Sequence, residues 1–236
     1  MRKPATKRAA GRFKGIRPVG KPRSVGDAVY DALKAAITKG DLPPGQRLIE
    51  RQLSLQLRTS RIPIREAIKK LEKDGLLEKL PYRGFVVKSV TEAEIGEIFG
   101  IRAVLESYAA YLATEQLTDV LMKKLEKSVR AYRDALARKD VERMMTANAQ
   151  FHETIYKASG SEKLSTLINN FRDYISRYRK TLLTTHEFAK VSLEDHIRML
   201  DAMNEGNKEK VEALVRKHIL RGKAIIVGEM KAGKLI

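Results

Sequence analysis

The stretch Arg58-Thr59-Ser60-Arg61-Ile62-Pro63-Ile64-Arg65-Glu66-Ala67-Ile68 decides the fold. Arg58-Thr59 is a short break, and Ser60 stands where a helix N-cap belongs. A helix of about residues 61–73 follows. Its Pro63 sits in the first turn, where a missing N–H costs nothing. Arg61 and Arg65 are four residues apart and share one helical face. Ala67 and Leu71 read as packing inward, and Glu66 as holding an arginine or the helix. Gly75 ends the segment.

Working outward toward the N-terminus, Glu50 to Leu57 reads as a helix. Before it, Asp41-Leu42-Pro43-Pro44-Gly45 is a turn. Val25, Ala28, Val29, Leu33, Ala36 and Ile37 recur at helical spacing, with Ser24 as N-cap and Gly40 as stop. Toward the C-terminus, Leu76–Leu80 and Phe85–Val87 are β-prone runs. Pro81-Tyr82-Arg83-Gly84 lies between them as a hairpin turn. Helix, helix, tight turn, helix and hairpin is the order of a winged helix-turn-helix, here assigned to residues 24–90.

Charge agrees with that assignment. The chain has 236 residues and a formal net charge of +18. Residues 1–90 hold 22 basic and 8 acidic groups, a net of +14, and residues 91–236 hold 25 and 21, a net of +4. A localised basic region is the footprint of phosphate binding, because each phosphate contact releases condensed counterions. Residues 1–23 carry Gly, Pro, Lys and Arg and no acid, and read as a disordered basic arm, either solvated or DNA-contacting. The chain has no amphipathic basic helix with a large aromatic face, no apolar run of bilayer length and no signal-peptide h-region, so no membrane partner is expected. The absence of cysteine excludes disulfides and thiolate metal sites, and fits a cytoplasmic protein.

After Thr91 the pattern changes. Thr91 and Glu94 form a capping box. Proline is absent from residue 91 onward, and amphipathic helices are expected at about 91–116, 118–138, 140–158, 161–186, 189–205 and 207–228. This is an antiparallel bundle of six or seven helices, assigned to residues 91–230. The fold class is therefore mostly α, with a small β-hairpin in the N-terminal unit.

Two resemblances follow from these residues. Ile37–Leu48, the stretch from Arg58 to Ile68, and Leu71-Glu72-Lys73-Asp74-Gly75-Leu76 together resemble the winged helix of the GntR family. That resemblance implies an operator-binding homodimer. Arg51, Ser60, Arg61 and Arg65 match its DNA-contacting positions, Pro63 lies among them, and Arg83-Gly84 matches its wing tip. Arg58-Thr59 departs from the small or apolar pair more usual there.

The chain has four histidines, His152, His186, His196 and His218. Asn148 and His152 share one helical face. Asn148–His152, Asp195–Leu200 and Ala213–His218 resemble the FCD domain of the FadR branch of that family. The resemblance implies Asn148, His152, His196 and His218 as ligands of a divalent transition metal, zinc or nickel first. Asn148 supplies a neutral carbonyl where an aspartate would bring charge. Arg102 matches a position facing the effector cavity, and an i,i+4 pair with Glu106 is the competing reading. His186 has no matching role and reads as surface or helix end. Tyr108, Tyr174 and Tyr178 read as cavity lining or core.

The function expected is a ligand-responsive transcriptional regulator, a repressor released from or modulated on a palindromic operator by a small organic or sugar acid. An architectural DNA-binding protein is one alternative. A metal-dependent enzyme is the other, disfavoured because no general-base carboxylate, nucleophile motif or Gly-rich phosphate loop accompanies the histidines.

Overall fold

The computed structural model describes residues 24–81, 84–175 and 178–233. The basic arm, the wing-tip Arg83 and the side chain of Tyr174 lie outside the described residues.

The N-terminal unit begins with α1 (Val25–Lys39), capped by the Ser24 hydroxyl, which accepts from the Asp27 N–H. Gly40 closes it at φ 85, a left-handed conformation natural to glycine. Then come β1 (Arg47–Leu48), α2 (Glu50–Gln56), α3 (Arg61–Lys73), β2 (Leu77–Leu80) and β3 (Gly84–Val87). The expected hairpin is part of a three-stranded antiparallel sheet of order β1-β3-β2. Leu77 pairs with Val87 and Leu80 with Gly84, while Arg47 pairs with Val86. The two-residue β1 was too short to leave a period-2 signal.

Val29, Leu33, Ile37, Leu53, Ile64, Ile68, Leu71 and Val87 form the core of this unit. Ile64, Ile68 and Leu71 are fully buried. They pin α3 by its inner face, each contributing roughly 1.5–3 kcal/mol of burial. The outer face of α3 is thereby held toward solvent.

Seven helices follow: α4 (Glu92–Glu115), α5 (Asp119–Ala137), α6 (Val141–Ala158), α7 (Glu162–Ile175), α8 (Arg179–Thr184), α9 (His186–Asn204) and α10 (Lys208–Lys231). The Thr91–Glu94 capping box is present with both of its bonds. Thr118, Asp140 and Asn207 cap α5, α6 and α10 through their side chains. The helix expected over 161–186 is instead two, α7 and α8, and α9 begins at His186 rather than near 189. No proline or glycine marks either break, so periodicity ran through both.

Helix α4 packs most extensively on α10. Ala103, Ala109, Ala110 and Ala113 are all buried on α4, and their small side chains permit close approach. Phe99, Phe151, Tyr156, Ile168, Met199 and Ile219 lie in the main core. Helix α1 touches α7, where Lys34 Nζ meets Asp173 Oδ2 at 2.6 Å. Among the described residues, no helix is long and apolar enough to cross a membrane.

Candidate DNA-reading face and histidine cavity

The α2–turn–α3 face presents Arg51, Ser60, Arg61 and Arg65, all exposed, with Pro63 half-buried behind them. Ser60 occupies the N-cap position, but its hydroxyl makes no capping bond. The first-turn N–H groups of α3 therefore stay open, as an anion-binding helix start requires. Gly84 lies beside the wing tip at φ 82 and is exposed. The turn itself is held by Ser54, whose hydroxyl donates to the Thr59 carbonyl at 2.6 Å. Arg58 sits at φ 48, so the departure noted in the sequence falls on a left-handed residue.

Spacing gave no sign of Glu50. Its carboxylate receives Arg65 in a fork, Nε to Oε1 at 3.1 Å and Nη2 to Oε2 at 2.9 Å. The Arg65 hydrogen bonds, then its charge and that of Arg61, hold the Glu50 carboxyl below its usual range. A planar fork of this kind fixes the direction of a guanidinium.

The second feature lies in the bundle. His152 on α6, His196 on α9 and His218 on α10 converge, with one ligand atom from each within 4.8 Å of the others. Ring centroids are 5.2 Å apart for His152–His196, 5.2 Å for His152–His218 and 5.0 Å for His196–His218. All three are buried. Phe151 stacks on the His196 ring at 4.2 Å. Burial first, and the neighbouring imidazole of His218 second, push His196 far below the ordinary histidine range. Burial and the adjacent imidazoles and arginines do the same to His152. Both rings are thus neutral and carry a free lone pair.

His196 supplies the test of fit for a metal. Neither of its ring nitrogens has a hydrogen-bond partner among the described residues, though both are fully enclosed. A buried polar atom left unpaired costs about 1–3 kcal/mol, and a cation shared with two further imidazoles would remove that cost at one of the two nitrogens. The donor set is nitrogen from three imidazoles, which suits zinc or nickel. His218 is pre-oriented, because its Nδ1 lies 3.2 Å from Asp195 Oδ2. A carboxylate accepts, so Nδ1 carries the proton and Nε2 is left as the donor to a metal. Arg221 also donates to Asp195 Oδ2. Neither Asp195 nor Arg221 was singled out in the sequence, although Asp195 directly precedes His196.

Asn148 lines the same cavity one turn before His152, together with Arg102, Arg172, Ser192 and Gly222. The cavity is small, about 50 Å³. Both readings of Arg102 are realised: it lines the cavity, and its Nε donates to Glu106 Oε1 at 2.6 Å. Glu106 is fully enclosed and also accepts from the Tyr156 hydroxyl. His186 is exposed at the start of α9, as expected. Tyr108 is half exposed against Tyr111 and does not line the cavity. Tyr178 belongs to the core.

Comparison with known proteins follows this division. The FCD domain model matches residues 97–221, and the model for bacterial regulatory proteins of the gntR family matches residues 26–87. The chain belongs to the GntR family. It combines that family's helix-turn-helix domain with an FCD domain. It is 34% identical over 193 residues to the uncharacterised HTH-type transcriptional regulator YdhC of Bacillus subtilis, covering 80% of this chain and 85% of the relative. It is 30% identical over 178 residues to the gluconate operon transcriptional repressor of Bacillus licheniformis, covering 75% of this chain and 72% of that one. Among solved structures it is similar to McbR/YncC of E. coli, with a TM-score of 0.74 and 27% identity over 88% of this chain and 99% of that chain. GntR regulators are not enzymes. Their helix-turn-helix domain implies DNA binding, and the FCD domain suggests a small-molecule ligand.

Proposed function

We propose that this protein is a homodimeric, effector-responsive repressor acting in the cytoplasm. Residues 24–90 form the reading head and residues 91–230 the sensing and dimerising body. Each head sets residues 61–65 into the major groove of a palindromic operator, with Arg65 and Arg61 addressing guanine edges and Ser60 a phosphate. Arg51 and the Arg83-Gly84 wing tip add backbone contacts. The observation that carries the reading is a cluster of three convergent buried histidines, two of which line a cavity with arginines, behind a helix whose basic face is exposed. A divalent metal held by His152, His196 and His218, with Asn148 beside it, would supply a Lewis-acid contact for an anion. Arg102 and Arg172 raise the positive potential of the same space. The effector is a small organic or sugar acid, and two of the relatives are gluconate operon repressors.

Dimerisation is supported by α4. Ile101, Val104 and Tyr108 are 42%, 50% and 50% exposed at spacings of three and four, while the opposite side of the helix is buried in the core. A helix apolar on both sides calls for a second covering surface. Gel shifts with operator DNA, repeated with zinc and a panel of organic acids, test the whole reading. Sequence-specific binding that an acid weakens is expected. Equal affinity for random DNA, or no response to any acid, would overturn it.

A further inference from the structure

Arg102 and Arg172 are not equivalent within the cavity. The charge of Arg102 is committed to the enclosed carboxylate of Glu106. Arg172, on α7, is about 92% buried by its 8% exposure, and it makes no ion pair among the described residues. Its guanidinium lies over the Tyr156 ring at 5.2 Å, and its only hydrogen bond among the described residues is a long one, 3.4 Å, to the Asn169 side chain. A buried guanidinium without a counter-ion is costly unless an anion completes it.

The rest of the lining has different chemistry. Phe99, Leu182, Leu183, Phe188 and Ile219 belong to it, and Gly222 leaves it open. A Cβ at Gly222 would stand 3.4 Å from Phe99 and 3.8 Å from Leu182. Beyond the histidines and arginines, the polar lining consists of Asn148 and Ser192. A polyhydroxylated acid needs a hydrogen-bond partner for each hydroxyl that it buries, and this wall offers almost none.

We infer that the effector is a carboxylic acid with an apolar body rather than a sugar acid, its carboxylate paired with Arg172 and its body against the Phe99–Leu182–Phe188 wall. This rests on the proposal above that the cavity takes a small anion. It sharpens that proposal by naming the anchor and by choosing between the two ligand classes.

The test is calorimetry on the full chain with added zinc, titrating acetate, butyrate and gluconate. Each buried methylene contributes about a fourfold gain in affinity. Butyrate is therefore expected to bind at least about tenfold more tightly than acetate, and gluconate more weakly than butyrate. Arg172→Gln is expected to lose butyrate binding by about tenfold or more while keeping its zinc-dependent thermal shift. Gly222→Val, which fills the apolar wall, is expected to weaken butyrate while leaving acetate nearly unchanged. It decides the matter if the Arg172 variant does not fold. Gluconate binding more tightly than butyrate would overturn the inference and leave the anion-sensing proposal standing. Undiminished butyrate binding by a folded Arg172→Gln protein would do the same. Binding of none of the three acids, with or without zinc, would overturn both.

Discussion

Lys34 and Asp173 join the two halves of the molecule, Nζ to Oδ2 at 2.6 Å. Lys34 belongs to α1, which packs on the reading helix α3, and Asp173 belongs to α7. The residue before Asp173 is Arg172, which lines the histidine cavity. One short helix thus touches the sensing space and the reading head. A shift of α7 that alters this ion pair would bias the placement of α1, and through α1 that of α3.

Lys34→Ala is expected to leave operator affinity within about threefold, since the pair is partly exposed and worth at most about 1 kcal/mol. What it should reduce is the weakening of operator binding by effector. Gel shifts with and without effector measure this directly. An unchanged response in Lys34→Ala and in Asp173→Asn would exclude this route.

Arg65→Ala should weaken specific operator binding by about 5- to 150-fold, the range of one bidentate base contact. The melting temperature should barely move, because Arg65 is on the surface. Glu50→Gln is expected to lower affinity by less, through a looser Arg65. Parent-like operator affinity for Arg65→Ala in a gel shift would remove Arg65 from the reading face.

His196→Leu separates metal binding from folding. The imidazole leaves two buried nitrogens unpaired, and leucine leaves none. The metal-free variant should therefore melt at or above the parent temperature. Zinc, which should raise the parent's melting temperature, should no longer do so. Scanning calorimetry with and without zinc reads both effects. A zinc shift retained in the variant would exclude His196 as a ligand.

Lys139→Gly should stabilise the bundle by roughly 1 kcal/mol, or a few degrees of melting temperature. Lys139 closes α5 at φ 55, with its N–H bonded to the Leu136 carbonyl and the Asp140 N–H to that of Ala135. This is a Schellman closure with lysine at the position that glycine favours. Urea denaturation of parent and variant checks the sign.

Acid should erode the Asp27 contact of the N-terminal unit over a defined window. The Lys70 ammonium, and next the Ser24 hydroxyl, hold the Asp27 carboxyl at about 2 rather than its ordinary 3.8. A lowered folded-state value means that the contribution is complete above 3.8 and is lost as the pH falls toward 2. The stability gap between the parent and Asp27→Asn should be constant at neutral pH and close across that window. Urea midpoints taken from pH 5 downward report it, and a gap that widens on acidification would contradict the assignment.

Much of the molecule was legible in the chain itself. Ser24, Thr91, Thr118, Asp140 and Asn207 each mark a helix start through their own hydrogen bonds, which are local and need no tertiary context. Ala67 and Leu71, read as packing inward, are both fully buried on α3. The break between α7 and α8 was not legible, because neither glycine nor proline marks it. Strand β1 was not legible either, because two residues carry no period and only pairing with β3 makes them a strand.

The sequence by itself determined that a basic winged helix precedes a helical body, and that three histidines occupy helix positions able to converge. Charge distribution, capping and periodicity are properties of neighbours along the chain. Tertiary structure alone decided how the charges are spent. It enclosed Glu106 against Arg102, set Asp195 behind His218, forked Glu50 onto Arg65 and left Arg172 without a counter-ion among the described residues. Those partners lie 4, 23 and 15 residues apart. Only the first separation has a helical period, so the other two became neighbours only through the packing of separate helices.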